Sequence, residues 1–202
     1  MATSRGSGIE SRLMRGFFTR DAEAVAQDLI GKIMVHRVGG HGGRELRARI
    51  VETEAYVGEH DLACHAAKGR TKRTEVMYGE GGHAYVYFIY GMHEMFNVVT
   101  GHAGSAQAVL IRAAEALHGF ETADRKLNLS GPGRFAKGMG ITRKDYGLNL
   151  TGDKLFFVDD GWKGRIRRGV RIGVDYSGDW KHELLRFWDA SSRAVSKPVP
   201  RE

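Results

Sequence analysis

Residues 48–65, ARIVETEAYVGEHDLACH, place two carboxylates inside a stretch whose other residues favour burial. Ile50 and Val51 open it, Tyr56 and Val57 close it, and Glu52, Thr53 and Glu54 interrupt it. β-Branched and aromatic residues favour extended backbone. A strand alternates its side chains between two faces, so Glu52, Glu54 and Tyr56 share one face. An ionised carboxylate is costly to bury unless it is paired, hydrogen-bonded or shifted in pKa. A half-buried glutamate beside a tyrosine therefore points to a general base or acid poised in a cleft.

Strands dominate on both sides of this stretch. KIMVHRV (32–38) alternates as a strand, and GGHGG (39–43) reads as the hairpin turn into ELRARIVETEAYV. AYVYFIYGM (84–92) and Phe96–Thr100 form a second hairpin through Gly91. Asp21 is the expected N-cap of a helix over AEAVAQDLI, with Gly31 as its stop. VLIRAAEAL (109–117) begins as a strand and is expected to turn helical near Arg112–Leu117. SGPGRFAKGMGI (130–141) starts a helix, with Ser130 as the N-cap candidate and Pro132 in the first turn. LFFVDD, RIRRGVRIGVDYSG and HELLRFW offer further strands and a short terminal helix. Strands cluster without regular βαβ alternation. The expected class is α+β, a single domain with a curved, mostly antiparallel sheet flanked by helices and a protruding hairpin. The domain is expected over 17–190, between a basic disordered arm (1–16) and a flexible tail (191–202).

Composition narrows the function classes. The 202 residues carry 31 Lys+Arg against 24 Asp+Glu, a net charge of +7, which favours a polyanionic partner such as nucleic acid. No apolar run reaches bilayer length, and the first residues lack the apolar core of a secretion signal. The expected compartment is the cytoplasm of a bacterium or the nucleus of a eukaryote, with no membrane partner. Cys64 is the single cysteine, which excludes an internal disulfide and a cysteine-based zinc site.

Several constellations have both a bland and a sharp reading. Tyr85, Tyr87 and Tyr90 crowd one hairpin, either as sheet packing or as a stacking platform for bases. A tyrosine at a glycine turn could also wedge between base pairs. His60, Asp61 and His65 resemble metal ligands, but no second cluster at ligand spacing supports them. The Cys64–His65 adjacency is not a nucleophile pair, because neighbours in an extended chain point apart. GEGGH (79–83) lacks the Lys-Ser/Thr of a phosphate-binding loop. Arg70, Lys72 and Arg73 are either a solvated loop or phosphate contacts. Arg112 ends the apolar run AVLI, so it needs an acid or an anion, and Glu54 is a candidate. Such a pair could be structural, or could keep the carboxylate ionised to accept a proton from water.

RIVETEAYVG, ACHA around His65, AYVYFIYGMHEMFNVV, AVLIRAAE, SGPGRFAKGMGI, and RIGVDYSG with LLRFW occur in this order. Together they resemble the alkyladenine (3-methyladenine) DNA glycosylase family, the type without a helix-hairpin-helix motif, from about Phe17 to Phe187. The resemblance implies a monofunctional enzyme that flips alkylated or deaminated purines out of duplex DNA and hydrolyses the N-glycosidic bond, starting base excision repair. It implies Glu54 as the base activating water, with Arg112 and the Ile172 backbone carbonyl holding that water. Tyr56, His65 and Tyr87 would sandwich the extruded base, and Asn97 would disfavour normal guanine. Tyr90 would be the wedge, and Met92 and His93 would touch the minor groove. No cofactor and no metal are implied, and the expected species is a monomer on damaged double-stranded DNA. Lys72, Thr74, Glu94, Phe135 and Lys137 depart from the family's usual residues. A non-catalytic nucleic-acid-binding module built on the aromatic hairpin is the alternative, and a metal-assisted hydrolase is a third reading.

Overall fold

The glutamates lie in the central strand of a nine-stranded sheet in a computed structural model, which describes residues 10–39, 42–89, 91–120 and 128–198. The strands are β1 (Ser11–Arg12), β2 (Ile33–Val38), β3 (Arg44–Tyr56), β4 (Ala84–Ile89), β5 (His93–Thr100), β6 (Gln107–His118), β7 (Leu155–Asp159), β8 (Ile166–Gly169) and β9 (Arg186–Asp189). Their order is β1-β7-β2-β3-β6-β5-β4, with β9 on the second half of β3 and β8 on β9. Every strand pairing is antiparallel. Helices α1 (Arg15–Phe18), α2 (Ala22–Leu29) and α3 (Pro132–Gly138) complete the α+β fold expected from the sequence.

β3 has a neighbour on each side along nearly its whole length. β2 covers Arg44–Arg49, β9 covers Glu52–Glu54, and β6 covers the opposite edge. The β3–β6 ladder is irregular at the glutamates. Ile50 faces Ala114, Glu52 faces Ala113 and Thr53 faces Ile111, so Arg112 has no partner in the register. A bulge of this kind bends the strand and re-aims a side chain. Here it turns Arg112 toward both glutamates. The main core lies where α2 and α3 pack on the sheet, through Val25, Leu29, Ile50, Phe96, Ile111, Phe135 and Phe187.

Several local expectations are corrected. The Arg112–Leu117 stretch is strand, not helix, because its ladder with β3 outweighs the helix preference of Ala, Glu and Leu. HELLRFW yields β9 instead of a terminal helix, since Phe187 and Trp188 fill slots beside β3. α3 is capped by Gly131, whose φ of 110° favours glycine, while Ser130 forms a bridge to Ala113. Asp21 sits at the N-cap of α2, but its side chain makes no cap bond; the Ala22 amide donates to Gln107 Oε1 at 2.7 Å instead.

The expected arm and tail also differ from the structure where it describes them. Ser11–Arg12 pair with β7 and Leu13 is buried, because an apolar side chain there completes the core. Val195 and Ser196 are buried against the back of β3. Residues 1–9 and 199–202 lie outside the described residues, as do Gly40 and His41 of the GGHGG turn.

Candidate active site

Glu54 is fully buried, and three donors converge on its carboxyl group. The Ile172 amide donates to Oε1 at 2.8 Å, the Tyr56 hydroxyl donates to Oε2 at 3.0 Å, and Arg112 Nη1 lies 3.2 Å from Oε1. Alternation along β3 supplies Glu54 and Tyr56 to one face, and the bulge supplies Arg112. Burial pushes the Tyr56 phenol well above its usual range, and the Glu54 charge adds to this, so Tyr56 stays protonated and donates. Burial works against the Arg112 charge, but Glu54 and Glu52 outweigh it and raise the group above its ordinary value.

Glu52 is satisfied separately. Its Oε1 accepts from Arg112 Nε and Arg186 Nε, each at 2.8 Å, and from Ser196 Oγ at 2.9 Å. Its Oε2 accepts from the Ser196 amide at 2.7 Å. Two arginines and a backbone amide therefore account for a carboxylate buried deep in the sheet. Arg112 bridges the two glutamates.

Beyond Tyr56 opens a narrow cleft. Its walls are Tyr56, His65, Tyr85, Tyr87, Asn97 and Tyr176, above a floor that includes Cys64, Met77 and Ala108. Flat aromatic walls that also carry hydroxyl, imidazole and amide groups suit a planar heterocycle with polar edges. The Tyr85 hydroxyl and His65 Nδ1 lie 2.8 Å apart, and the His65 and Tyr87 ring centres are 4.6 Å apart. Burial, reinforced by Arg73 and Lys68, pushes His65 down to about 4, so its imidazole is neutral near pH 7. Burial pushes the Tyr85 phenol up to about 12 and raises Tyr87 too. It raises the Cys64 thiol to about 11, leaving it inert as a nucleophile near neutral pH. Asn97 Nδ2 donates to the Tyr85 carbonyl at 3.1 Å, which fixes the amide at the cleft wall.

The structure thus brings together seven of the residues singled out from sequence: Glu54, Arg112, Ile172, Tyr56, His65, Tyr87 and Asn97. For Ile172 the contact is made by its amide, toward Glu54. Met92 and His93 sit at the tip of the β4–β5 hairpin, away from the cleft walls, with Met92 71% exposed. Tyr90 lies outside the described residues. Asp61 is held at 2.5 and 2.9 Å by Arg171, and His60 packs on Trp180, so His60, Asp61 and His65 do not converge. Arg70 pairs with Glu75, and Arg73 lies 4.9 Å over the Tyr87 ring. Glu94 pairs with Arg143, and Thr74 braces the 69–74 turn through Gly69 and Thr71.

Sequence reasoning missed Arg171, Arg186, Ser196 and Tyr176. Arg171 sits fully buried 4.9 Å over Tyr56 and donates to the Ala55 carbonyl at 2.9 Å. The signal was available in the run RRGVRIG, where one arginine follows a valine and precedes an isoleucine.

A family model described as methylpurine-DNA glycosylase matches residues 16–193. Among curated relatives, a Myxococcus xanthus protein named "Putative 3-methyladenine DNA glycosylase" is 47% identical over 93% of this chain and 95% of its own length. Proteins of the same name from Legionella pneumophila (strain Paris) and Methanocella arvoryzae are 44% and 45% identical. These two cover 92% and 93% of this chain and 98% and 97% of their own lengths.

Proposed function

Because this chain belongs to the methylpurine-DNA glycosylase family, DNA repair hydrolases that act on glycosyl bonds, we propose that Glu54 is the base activating the attacking water. The observation that carries this reading is the buried Glu54 carboxyl group, gripped by Arg112, Ile172 and Tyr56, the last of which lines an aromatic cleft. A carboxylate offers about four acceptor directions, and three are taken by protein donors. The remaining direction, on Oε2, accepts a proton from water.

In this reading the damaged nucleotide leaves the duplex and its base enters between Tyr56, His65 and Tyr87. The glycosidic carbon cannot be attacked inside the stack, and a damaged pair costs least to open. As the bond between C1′ and the base nitrogen lengthens, positive charge gathers on the sugar. The Glu54 charge stabilises it, as carboxylates do in glycoside hydrolysis. Water oxygen then bonds to C1′, its proton passes to Glu54, and the base departs with the bonding electron pair. A cationic alkylated purine leaves neutral and needs no acid. Its charge is also attracted to the tyrosine faces by about 0.5–2 kcal/mol. Neutral deaminated purines use the same cleft but require a proton on the departing base, so their release is slower. Asn97 stands at the wall where it disfavours normal guanine through its 2-amino group, a penalty that the positive charge of 7-methylguanine offsets on the tyrosine faces. Tyr90 wedges the duplex, with Met92 and His93 at the minor groove, and a monomer acts on damaged double-stranded DNA.

The test is base release from duplexes carrying single 7-methylguanine, 3-methyladenine, hypoxanthine or ethenoadenine residues, in EDTA, with abasic sites counted after heating in alkali. Release of cationic bases ahead of neutral ones supports the reading. Absence of release from all four refutes it.

A further inference from the structure

Segment 191–198 carries a buried serine, Ser196, that is wired into the Arg112–Glu52 pair. Ser196 Oγ donates to Glu52 Oε1 at 2.9 Å and accepts from Arg112 Nη2 at 3.3 Å. Its amide donates to Glu52 Oε2 at 2.7 Å, and its carbonyl accepts from Arg186 Nη2 at 3.0 Å. Val195 and Ser196 are only 7% and 5% exposed, and Val195 packs against Val51, Ala113 and Trp188. Ser196 also lies beyond the last residue that the family model matches.

We propose that Ser196 is a positioning residue for the glycosylase reaction: it holds one end of the Arg112 guanidinium so that the other end meets Glu54. A guanidinium is a rigid plane with its donors in a fixed fork. Arg112 Nε is fixed on Glu52, Nη2 on Ser196 and Nη1 on Glu54. Three points define the plane. Without the Ser196 acceptor, Arg112 keeps its Glu52 bond but loses the contact that sets its orientation toward Glu54. A Nη2 group left unpaired in a buried site seeks another acceptor, and Glu54 Oε1 is within reach of the same fork. Such a shift changes how the carboxylate presents its free lone pair without removing any group of the cleft. The catalytic part of this inference rests on the role proposed above for Glu54.

The test compares full-length wild type with Ser196→Ala, Ser196→Thr and Ser191→Ala. Ser191 lies in the same segment, but its hydroxyl bonds Asp189 and not Arg112. Single-turnover release of 7-methylguanine is expected to fall roughly tenfold in Ser196→Ala, the scale of a modest misplacement of a reacting group. Affinity for the damaged duplex should stay within about twofold, because the cleft walls are untouched. Ser196→Thr, which keeps the hydroxyl, should restore the rate, and Ser191→Ala should match wild type. If Ser196→Ala does not fold, Ser196→Cys replaces a strong acceptor by a weak one at similar volume and serves in its place. Nitrogen-detected NMR of the Arg112 guanidinium, assigned by its loss in Arg112→Lys, provides a readout independent of activity. Separate Nη signals in wild type should merge in Ser196→Ala as rotation about the Cζ–Nε bond is freed. A wild type that releases no base would refute the proposed function while the NMR comparison still decides the clamp. Wild-type cleavage by Ser196→Ala, a loss that Thr does not restore, or unchanged guanidinium signals would each overturn the inference.

Discussion

Asp61→Ala should destabilise this protein more than any surface change, because it strands a buried guanidinium. The Asp61 and Arg171 side chains are both 0% exposed and meet through two contacts, at 2.5 and 2.9 Å. Asp61 also accepts from the Val57 and Ala63 amides at 3.2 and 3.0 Å. Removing one partner of a buried pair costs about 3–5 kcal/mol, chiefly the penalty of an uncompensated charge. For a protein of this size each kcal/mol lowers the melting temperature by about 2–4 °C, so a fall of about 6–20 °C is expected. Thermal melts by circular dichroism, with a urea titration at 25 °C, measure both quantities. The double variant Asp61→Ala/Arg171→Met removes both charges and should recover at least half of the loss, since apolar replacement of a whole pair is nearly neutral. A fall below 2 °C in the single variant, or no recovery in the double, would refute the idea that this pair braces the chain around Tyr56.

Three further outcomes are expected. His65, held down to about 4 by burial and by Arg73 and Lys68, should show no imidazole titration by NMR between pH 8 and 5. Its folded value lies below the ordinary 6.5, so the unfolded chain binds the proton first: stability is undiminished above pH 6.5 and falls progressively as pH drops toward 4. A midpoint near 6.5 in the folded protein would contradict this. Gly31→Ala should cost at least about 2 kcal/mol, because φ is +87° and a Cβ would lie 2.0 Å from the Trp162 ring; an unchanged urea midpoint would exclude that packing. Gln107→Ala should lower stability by about 1 kcal/mol by uncapping α2, whereas Asp21→Ala, whose side chain makes no cap bond, should cost less; the reverse order would overturn the assignment.

Much of the site could be read from the alternation of β3 and its neighbours. ETEAY places Glu54 and Tyr56 on one face without knowledge of any other strand. The loneliness of Arg112 after AVLI correctly called for an acid. What sequence could not supply was register. The bulge that drops Arg112 out of the β3–β6 ladder lets it reach both Glu52 and Glu54, and no local residue announces it. The same ladder made strand of an Ala- and Glu-rich stretch with helical preference. Composition was also a poor guide to residues 191–198, where SSRAVSKP looks like a solvated tail. One buried valine and one serine with four polar contacts hold that segment against β3. The Asp61–Arg171 pair spans 110 residues of chain, a separation at which no spacing rule operates.

The role of Glu54 is tested most directly by Glu54→Gln, which keeps the shape and the acceptor for the Ile172 amide but removes the charge and the basicity. Single-turnover release of 7-methylguanine from a duplex should fall by about 10²–10⁴, the usual contribution of a positioned base, while binding of the same duplex persists. A Glu54→Gln enzyme that releases the base at the wild-type rate would contradict the account.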